Sequence, residues 1–238
     1  MLHAGNDSRS NDRDDWAAVE SAPLFTGVSP EAVKRISGAA RLKRFARGEM
    51  PFLAGDAVEQ VLLLISGSVK ITQLGPKGLE VILRLGAPGD VFDVVSLFAT
   101  DKHGTTAQAI RPCDVLIWDA KIFKALVEGL PVLYKNIIRF VFGHLLELEE
   151  RFRELATERV APRVARQLIR LQKQLGSARK AQMEVGLSRE GLAQMTGTTL
   201  YTVSRLLSTW EEDGLVNSRR ESMTITDVPA LRKVIEEN

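Results

Sequence analysis

The chain of 238 residues has a single cysteine, Cys113, and only three histidines. One thiol forms no intrachain disulfide, and it falls short of the four thiolates that hold an iron–sulfur cluster. The longest apolar run, Val61 to Ile65, has the length of a strand rather than the roughly 20 residues of a membrane span. The polar segment from Met1 to Asp15 lacks the apolar core of a signal peptide. We therefore expect a cytoplasmic protein with no membrane association, no disulfides and no metal site.

The chain also lacks the short motifs of common enzyme classes. It contains no Gly-x-Ser-x-Gly, no phosphate-binding P-loop and no group of His, Cys, Asp and Glu at metal-ligand spacing. These absences predict a protein that is not an enzyme.

Net charge is small, at +2, but it is unevenly distributed. Residues 1–158 carry 19 basic against 21 acidic side chains, whereas residues 159–238 carry 13 against 9. A basic C-terminal third is the electrostatic pattern expected of a nucleic-acid-binding module. The alternative is a basic face that only meets solvent, and charge alone does not decide between the two.

Short apolar or β-branched runs recur between Arg41 and Asp119, separated by turn signals such as Gly75-Pro76-Lys77-Gly78. Many short strands at this spacing predict an antiparallel β-barrel or sandwich. The predicted strands are Gln60–Ser66, Ser68–Leu74, Glu80–Leu85, Thr105–Ile110 and Asp114–Asp119. Before them, Ser29 and Pro30 have the residue types of a helix N-cap and first helical position.

From Lys121 onward the apolar period becomes helical. A seam with alternating spacings of three and four residues consists of Ile138, Val141, Leu145, Leu148, Phe152 and Leu155. This is the a/d pattern of a coiled coil, and charged residues occupy most positions around its lower half. A homodimer seam is the interpretation we favour, and a core helix inside one subunit is the alternative.

Residues 188–210 have the pattern of a helix-turn-helix. Ser188 has the residue type of an N-cap, and Ala193 is small where two helices cross closely. Gly197 stands where the chain turns between helices, because glycine adopts positive φ without a steric penalty. Thr198 or Thr199 caps the second helix, whose predicted buried stripe is Val203, Leu206 and Leu207. An ordinary helical hairpin is the alternative.

The residues left outside this stripe are predicted to meet DNA, namely Thr199, Tyr201, Thr202, Ser204 and Arg205. Arginine suits the guanine edge because it bonds O6 and N7 together, whereas hydroxyl groups bond phosphates or bases. Gly214 ends the helix. A β-hairpin follows, with Arg219 and Arg220 at its tip, and it predicts a wing that contacts the DNA backbone.

Three motifs together resemble the CRP/FNR family of bacterial transcription regulators, over residues ~20 to ~230. They are the strand–glycine–strand segment Leu64 to Ile71, the Gly-Asp turn Gly89 to Phe92, and the recognition helix after Gly197. The overall pattern is most similar to the FNR-like branch, which includes regulators of nitrogen-oxide respiration, and Ser204-Arg205 matches the Ser-Arg pair of that branch. Tyr201 replaces the glutamate of that branch, so the base that glutamate reads should differ in the target half-site.

The resemblance implies an α+β fold in four parts. These are a flexible arm (1–20), a cyclic-nucleotide-binding-like jelly-roll β-barrel that senses an effector (21–130), a dimerisation helix (131–158) and a winged helix-turn-helix (159–238). The implied function is a homodimeric regulator that reads a palindromic promoter site in double-stranded DNA, with RNA polymerase as partner if it activates. A sensory module that acts by protein contact, with a vestigial helix-turn-helix, is the alternative.

Departures from the family pattern bear on the effector. Members that bind cyclic nucleotides carry Gly-Glu-Leu after the Gly-Asp turn and an arginine further on. Here the stretch is Asp93-Val94-Val95, and no arginine occurs between Asp93 and Ile110. A buried cyclic phosphate without a cation is costly, so we do not expect cyclic AMP. By resemblance, a mainly apolar effector pocket would be lined by Val94, Val95, Leu97, Leu148 and Glu149.

The cofactor and effector stay open at this point. Haem is one option, since His103 lies in the loop downstream of the Gly-Asp turn and His144 lies beside the seam. A lone histidine is more often an ordinary structural or surface residue than a ligand. Small organic ligands, and no ligand at all, are the other options.

Overall fold

The computed structural model describes residues 19–20, 22–175, 184–219 and 222–236. Its strands are β1 (Arg41–Phe45), β2 (Gln60–Ser66), β3 (Val69–Leu74), β4 (Glu80–Gly86), β5 (Val91–Phe92), β6 (Thr106–Ala109), β7 (Cys113–Asp119), β8 (Glu184–Val185), β9 (Val216–Arg219) and β10 (Ser222–Ile225). Its α-helices are α1 (Pro30–Gly38), α2 (Val94–Ala99), α3 (Ala120–Glu128), α4 (Pro131–Thr157), α5 (Val160–Leu175), α6 (Arg189–Thr196), α7 (Leu200–Glu212) and α8 (Val228–Glu236). Strands thus dominate the first half and helices the second, as the change of period predicts.

The chain divides into two compact units. Of the described residues, the first comprises those up to Ile71 and those from Gly86 to Leu145, and the second comprises Thr72–Leu85 and those from Leu146 onward. The boundary falls within α4, at Leu145, so this helix contributes to both units. The β3–β4 hairpin crosses the boundary as well, because the segment 72–85 belongs to the second unit while the chain on both sides of it belongs to the first.

A four-stranded antiparallel sheet with the order β1-β7-β2-β5 organises the first unit. The central strand β2 is buried along most of its length, with Val61, Leu63 and Leu64 fully inaccessible. One core packs beneath it against α1, α3 and the start of α4, around Trp118 and Phe123. The Trp118 indole N–H donates to the Ile36 carbonyl at 2.7 Å, which fixes α1 to the sheet.

The strands do not close into the predicted barrel, although the jelly-roll fold is present. They form separate sheets of three and four strands, one of which has the order β4-β3-β6. The edge strand β5 has only two residues, because Asp93 then takes a left-handed conformation (φ 70°) and α2 begins. A strand that ends so early has no backbone groups left to continue the ladder.

Gly67 shows why the strand–glycine–strand segment needs its glycine. Its φ is 87°, and a Cβ at this position would lie 2.2 Å from the Pro112 carbonyl oxygen. Any other residue would therefore be strained both by its backbone conformation and by a clash with neighbouring main chain. The predicted cap of α1 is also confirmed, since the Ser29 side chain accepts from the Ala32 amide at 3.3 Å and Pro30 follows.

The second unit combines α5 to α8 with a three-stranded antiparallel sheet of order β8-β10-β9. Helix α5 packs against α6 and α8 through a buried face that includes Val164, Leu168 and Leu171. It starts at Val160, and Pro162 lies in its first turn, where proline is tolerated. Residues 176–182, whose polar composition predicts a connector between helices, lie outside the described residues.

A buried carboxylate joins α4 to α5. Glu154 is 1% exposed and accepts hydrogen bonds from both terminal nitrogens of Arg170. A buried carboxylate is tolerated when a bidentate guanidinium satisfies it, because both oxygens keep charge-assisted bonds. The end of the long helix is thereby fixed against the first helix of the C-terminal domain.

Candidate DNA interface and sensing region

The two helices of the predicted motif are α6 and α7, and each begins at a predicted cap. The Ser188 hydroxyl accepts from the Gly191 amide at 3.0 Å, and the Thr199 hydroxyl accepts from the Thr202 amide at 3.1 Å. Between the helices, Gly197 takes the left-handed conformation (φ 60°). Helix α7 ends at Glu212, and Gly214 (φ 72°) follows. All these positions match the sequence prediction.

The faces of α7 separate as the sequence predicts. Val203 and Leu207 are fully buried, Trp210 is 5% exposed and Leu206 is half-buried. On the opposite side Tyr201 is 75% exposed, and Thr199 and Arg205 are exposed. Thr202 and Ser204 are half-buried beside them. The predicted readers therefore share one accessible face near the N-terminus of α7, where the helix dipole favours an anion such as phosphate.

The wing is the β9–β10 hairpin, and Arg219 is exposed at the end of β9. Arg220, the other predicted wing residue, lies outside the described residues. A three-residue cluster anchors the wing to both helices. Arg189 at the start of α6 donates to Ser218 at 3.0 Å and to Glu211 at 3.2 Å, and Glu211 accepts the Ser218 amide at 2.6 Å. Sequence reasoning missed this cluster, because its three members are far apart in the chain.

The C-terminal end of α6 has two arginine partners that the sequence did not reveal. Arg151 of α4 donates to the Met195 carbonyl at 2.9 Å and also to the Leu83 carbonyl of β4. Arg163 of α5 donates to the Thr196 carbonyl at 2.8 Å. The last carbonyls of a helix lack partners within it and carry partial negative charge, so cations stabilise them. Burial lowers the pKa of both guanidiniums, yet arginine stays charged.

The predicted dimer seam is exposed along α4. The exposed fractions are 39% for Ile138, 45% for Leu145, 54% for Leu148 and 71% for Phe152. A stripe of large apolar side chains left open in one subunit is the surface expected of a helix–helix interface. Leu155 is 50% exposed as well, whereas Val141 is half-buried against the core of the first unit. Leu155 also lies beside Gly197, where a Cβ would come within 2.9 Å of its Cδ1.

The predicted effector residues are distributed over both units. Val94 and Leu97 are buried in the core of the first unit, whereas Val95 is 53% exposed. Leu148 and Glu149 are exposed on the part of α4 that belongs to the second unit. The effector pocket that these five residues would line stays a prediction.

His103 and Asp93 form a buried pair in the first unit. The His103 Nδ1 lies 2.7 Å from Asp93 Oδ1, and the two side chains are 6% and 3% exposed. The imidazole stacks on Phe52 with ring centroids 4.5 Å apart, and it borders a cleft of about 410 Å³. His144 instead meets the edge of the Phe140 ring at 4.4 Å. Of the two histidines considered for haem, His103 thus has a carboxylate partner that the sequence did not indicate.

Two domain models match the chain. A cyclic nucleotide-binding domain matches residues 42–129, and a Crp-like helix-turn-helix domain matches residues 162–234. These matches coincide with the strand-rich segment and the winged motif. Among the described residues no helix is both long and apolar enough to cross a membrane.

Characterised relatives match across most of their length. The CRP-like cAMP-activated global transcriptional regulator of Mycobacterium tuberculosis is 26% identical over 214 residues, which cover 89% of this chain and 96% of the relative. The global nitrogen regulator of Synechococcus elongatus is 28% identical over 196 residues, which cover 80% of this chain and 88% of the relative. The solved structure of a CRP-family transcriptional regulator from Thermus thermophilus aligns with a TM-score of 0.69 at 27% identity, covering 82% of this chain and 96% of that one.

A jelly-roll sensory domain followed by a long helix and a winged helix-turn-helix defines a DNA-binding transcription regulator. The chain belongs to the CRP/FNR family. Regulators of this family bind DNA and act as dimers.

Proposed function

We propose that this regulator reads a palindromic promoter site as a homodimer held by the α4 seam. The observation that carries the proposal is the accessible face of α7, on which Tyr201 and Arg205 project next to the capped helix start. Arg205 contacts a guanine, and the hydroxyl groups of Thr199, Thr202 and Ser204 contact phosphates or bases. Arg219 and Arg220 contact the backbone beside the groove. RNA polymerase is the further partner if the protein activates transcription.

The position of Tyr201 predicts an altered half-site. A phenol cannot accept from cytosine N4 as a glutamate carboxylate does, so the base pair read by glutamate in FNR-like members is read differently here. The half-site should therefore depart at that position from the family half-sites TTGAT and TGTGA.

Selection from a library of randomised duplexes tests this proposal. The purified protein should enrich an inverted repeat whose half-sites are centred about one helical turn apart, roughly 34–36 Å, as two-fold symmetry requires. An Arg205→Ala variant in the same selection is the matched control, and it should lose the preference at one guanine per half-site. Enrichment of a single half-site, or of no sequence, would contradict the homodimeric reading mode.

The effector we propose is not cyclic AMP. The Mycobacterium tuberculosis relative is named as cyclic-AMP-activated, but this chain lacks the residue types that would hold the ligand. Val94 occupies the position of the ribose-binding glutamate, and its side chain is 2% exposed in the core. A small apolar or planar effector suits a pocket lined mainly by apolar side chains, as is predicted here.

A further inference from the structure

The Arg151 side chain donates hydrogen bonds to both the β3–β4 hairpin and the end of α6. Its guanidinium donates through Nη1 to the Leu83 carbonyl of β4 and through Nη2 to the Met195 carbonyl of α6. Leu83, Arg151 and Met195 all lie in the second unit, on three different elements. Other contacts join the same elements, since the Gln174 side-chain amide donates to the Leu85 carbonyl and Ile82 approaches Gly191.

The end of α6 depends on bonds from outside the helix. Two of its last carbonyls have local donors: Leu192 accepts from the Thr196 hydroxyl at 2.7 Å, and Ala193 accepts from the Thr198 amide at 3.1 Å. The Met195 and Thr196 carbonyls have arginine donors instead. These two carbonyls immediately precede Gly197, the turn that sets the angle between α6 and α7. The arginines that donate to these carbonyls, Arg151 and Arg163, therefore help to set the position of the recognition helix.

The β3–β4 hairpin, which carries the Leu83 carbonyl bonded by Arg151, is joined to the first unit at both of its ends. The segment 72–85 leaves the first unit at Ile71 and rejoins it at Gly86, so a shift of the chain at these two residues would be transmitted along β3 and β4 to the Leu83 carbonyl. A guanidinium has a rigid, planar set of donors, and a displaced acceptor makes it rotate or lose a bond. Loss of either carbonyl leaves a partly buried cation with fewer partners, which is costly.

We propose that Arg151 is a positioning residue through which the β3–β4 hairpin controls the helix-turn-helix. Movement of the Leu83 carbonyl changes how firmly Arg151 holds the Met195 carbonyl, and this alters the orientation of α7 for DNA. The inference rests on the proposed function, because its output is DNA affinity. Arg151 thereby couples the β3–β4 hairpin to the helix-turn-helix, a role that neither the seam nor the recognition helix fills.

Variants at position 151 give the first test. Arg151→Lys keeps the charge without the planar fork, and Arg151→Gln removes the charge. Arg153→Gln is the matched control on the same helix, since Arg153 is 49% exposed and pairs only with Glu150 and Glu158 among the described residues. Both Arg151 variants should bind the selected duplex about tenfold more weakly while sedimenting as dimers, as loss of a charge-assisted bond predicts. Wild-type affinity in both variants would overturn the proposal.

A double-mutant cycle distinguishes coupling from simple destabilisation. Gly78→Val strains the hairpin turn at φ 76° in open space, and Gly48→Val strains a turn of the first unit at φ 90°, also in open space. Gly78→Val should weaken DNA binding severalfold in the wild type and have no further effect in Arg151→Gln, because the path between the two sites is already broken. Gly48→Val should have little effect in either background. Additive losses, or no loss from Gly78→Val, would refute the coupling role.

Amide hydrogen exchange tests the role of Arg151 in a measurement that needs no DNA. In Arg151→Gln, and not in Arg153→Gln, the amides of β4 and of the turn after α6 should exchange faster together, while those of β9 keep their protection. Faster exchange in β4 alone, or in the turn after α6 alone, would contradict a link between them through Arg151. A wild-type protein that bound no duplex would count against the proposed function alone, because the exchange result is read separately.

Discussion

The His103 imidazole and the Asp93 carboxylate join the two ends of the cassette between Gly89 and Ala107. Their contact of 2.7 Å is buried, and Asp93 holds a left-handed conformation that non-glycine residues rarely adopt. The side chain of Asp93 does not cap α2, although it stands at the N-cap position. Its carboxylate is bonded to His103 instead, so the buried pair stabilises one arrangement of the cassette and offsets the cost of the left-handed backbone.

Removal of the imidazole should therefore cost more stability than removal of the carboxylate. His103→Ala leaves a buried carboxylate without its imidazole partner, and we expect a loss of about 1–3 kcal/mol in the free energy of unfolding. Asp93→Gly loses the same contact but relieves the positive φ, so its loss should be smaller. Urea denaturation of the two variants provides the comparison. Wild-type stability in both variants would show that the pair does not stabilise this turn.

Dimerisation should fail when a charge enters the α4 seam. Leu148→Asp would place two carboxylates at the interface and remove a side chain whose full burial is worth roughly 1.5–3 kcal/mol. Leu74→Asp is a matched control, because Leu74 is 73% exposed and lies in the hairpin rather than in the seam. Sedimentation should give a monomer for the first variant and a dimer for the second. A dimeric Leu148→Asp protein would mean that the seam is wrongly assigned.

Substitution of a base-reading arginine and substitution of a backbone-contacting arginine should affect DNA binding in different ways. Arg205→Ala should cost about 1–3 kcal/mol on the specific site and relax the preference at one guanine. Arg219→Ala or Arg220→Ala should weaken binding to all sequences and reduce the dependence of affinity on salt, since phosphate contacts release counterions. Titrations at several salt concentrations distinguish these effects. Unchanged sequence preference in Arg205→Ala would refute its role as a reader.

Cyclic nucleotides should not bind to the sensing domain. Calorimetry with cyclic AMP and cyclic GMP should give no heat of binding at physiological concentrations, because no arginine follows Asp93 within the cassette to neutralise the phosphate. Absorption spectra of the purified protein, with mass spectrometry of retained molecules, would detect haem or another effector. Micromolar affinity for either nucleotide would mean that a cation from elsewhere, such as Arg84 or Lys102, meets the phosphate.

The stability of the first unit should fall in acid partly through Asp114. Burial by itself raises the pKa of this carboxyl, but hydrogen bonds from Arg44 (2.7 Å) and Ser66 (2.9 Å) outweigh it and hold the pKa below the ordinary value of 3.8. A carboxyl with a depressed folded-state pKa stabilises the fold above the unfolded-state value, and this contribution disappears as pH falls through the folded-state pKa.

Asp114→Asn should accordingly flatten the pH dependence of unfolding below pH 3.8 and lower stability at neutral pH. Glu128→Gln, at the exposed end of α3, serves as the control and should leave the curve unchanged. Thermal melts across the acid range measure both. The assignment of Asp114 would be wrong if the two variants showed the same acid profile.

The sequence by itself determined the local elements of this protein and most of its candidate DNA interface. Residue types at single positions encode caps and turns, as Ser188, Gly197 and Thr199 do, because the energetics of a helix end depend on its nearest neighbours in the chain. Apolar periods likewise predicted β2, α4 and the buried stripe of α7. The outward face with Tyr201 and Arg205 followed from that stripe without any knowledge of the fold.

The tertiary structure alone decided which distant residues meet. Asp93 and His103, Arg189 and Glu211, and Arg151 with its two carbonyls are brought together by packing, and backbone acceptors leave no signal in the residue types around them. The early end of β5 likewise depended on the left-handed conformation of Asp93, whose carboxylate contacts His103. Contacts of this kind arise from the whole fold, so no local pattern in the chain specifies them.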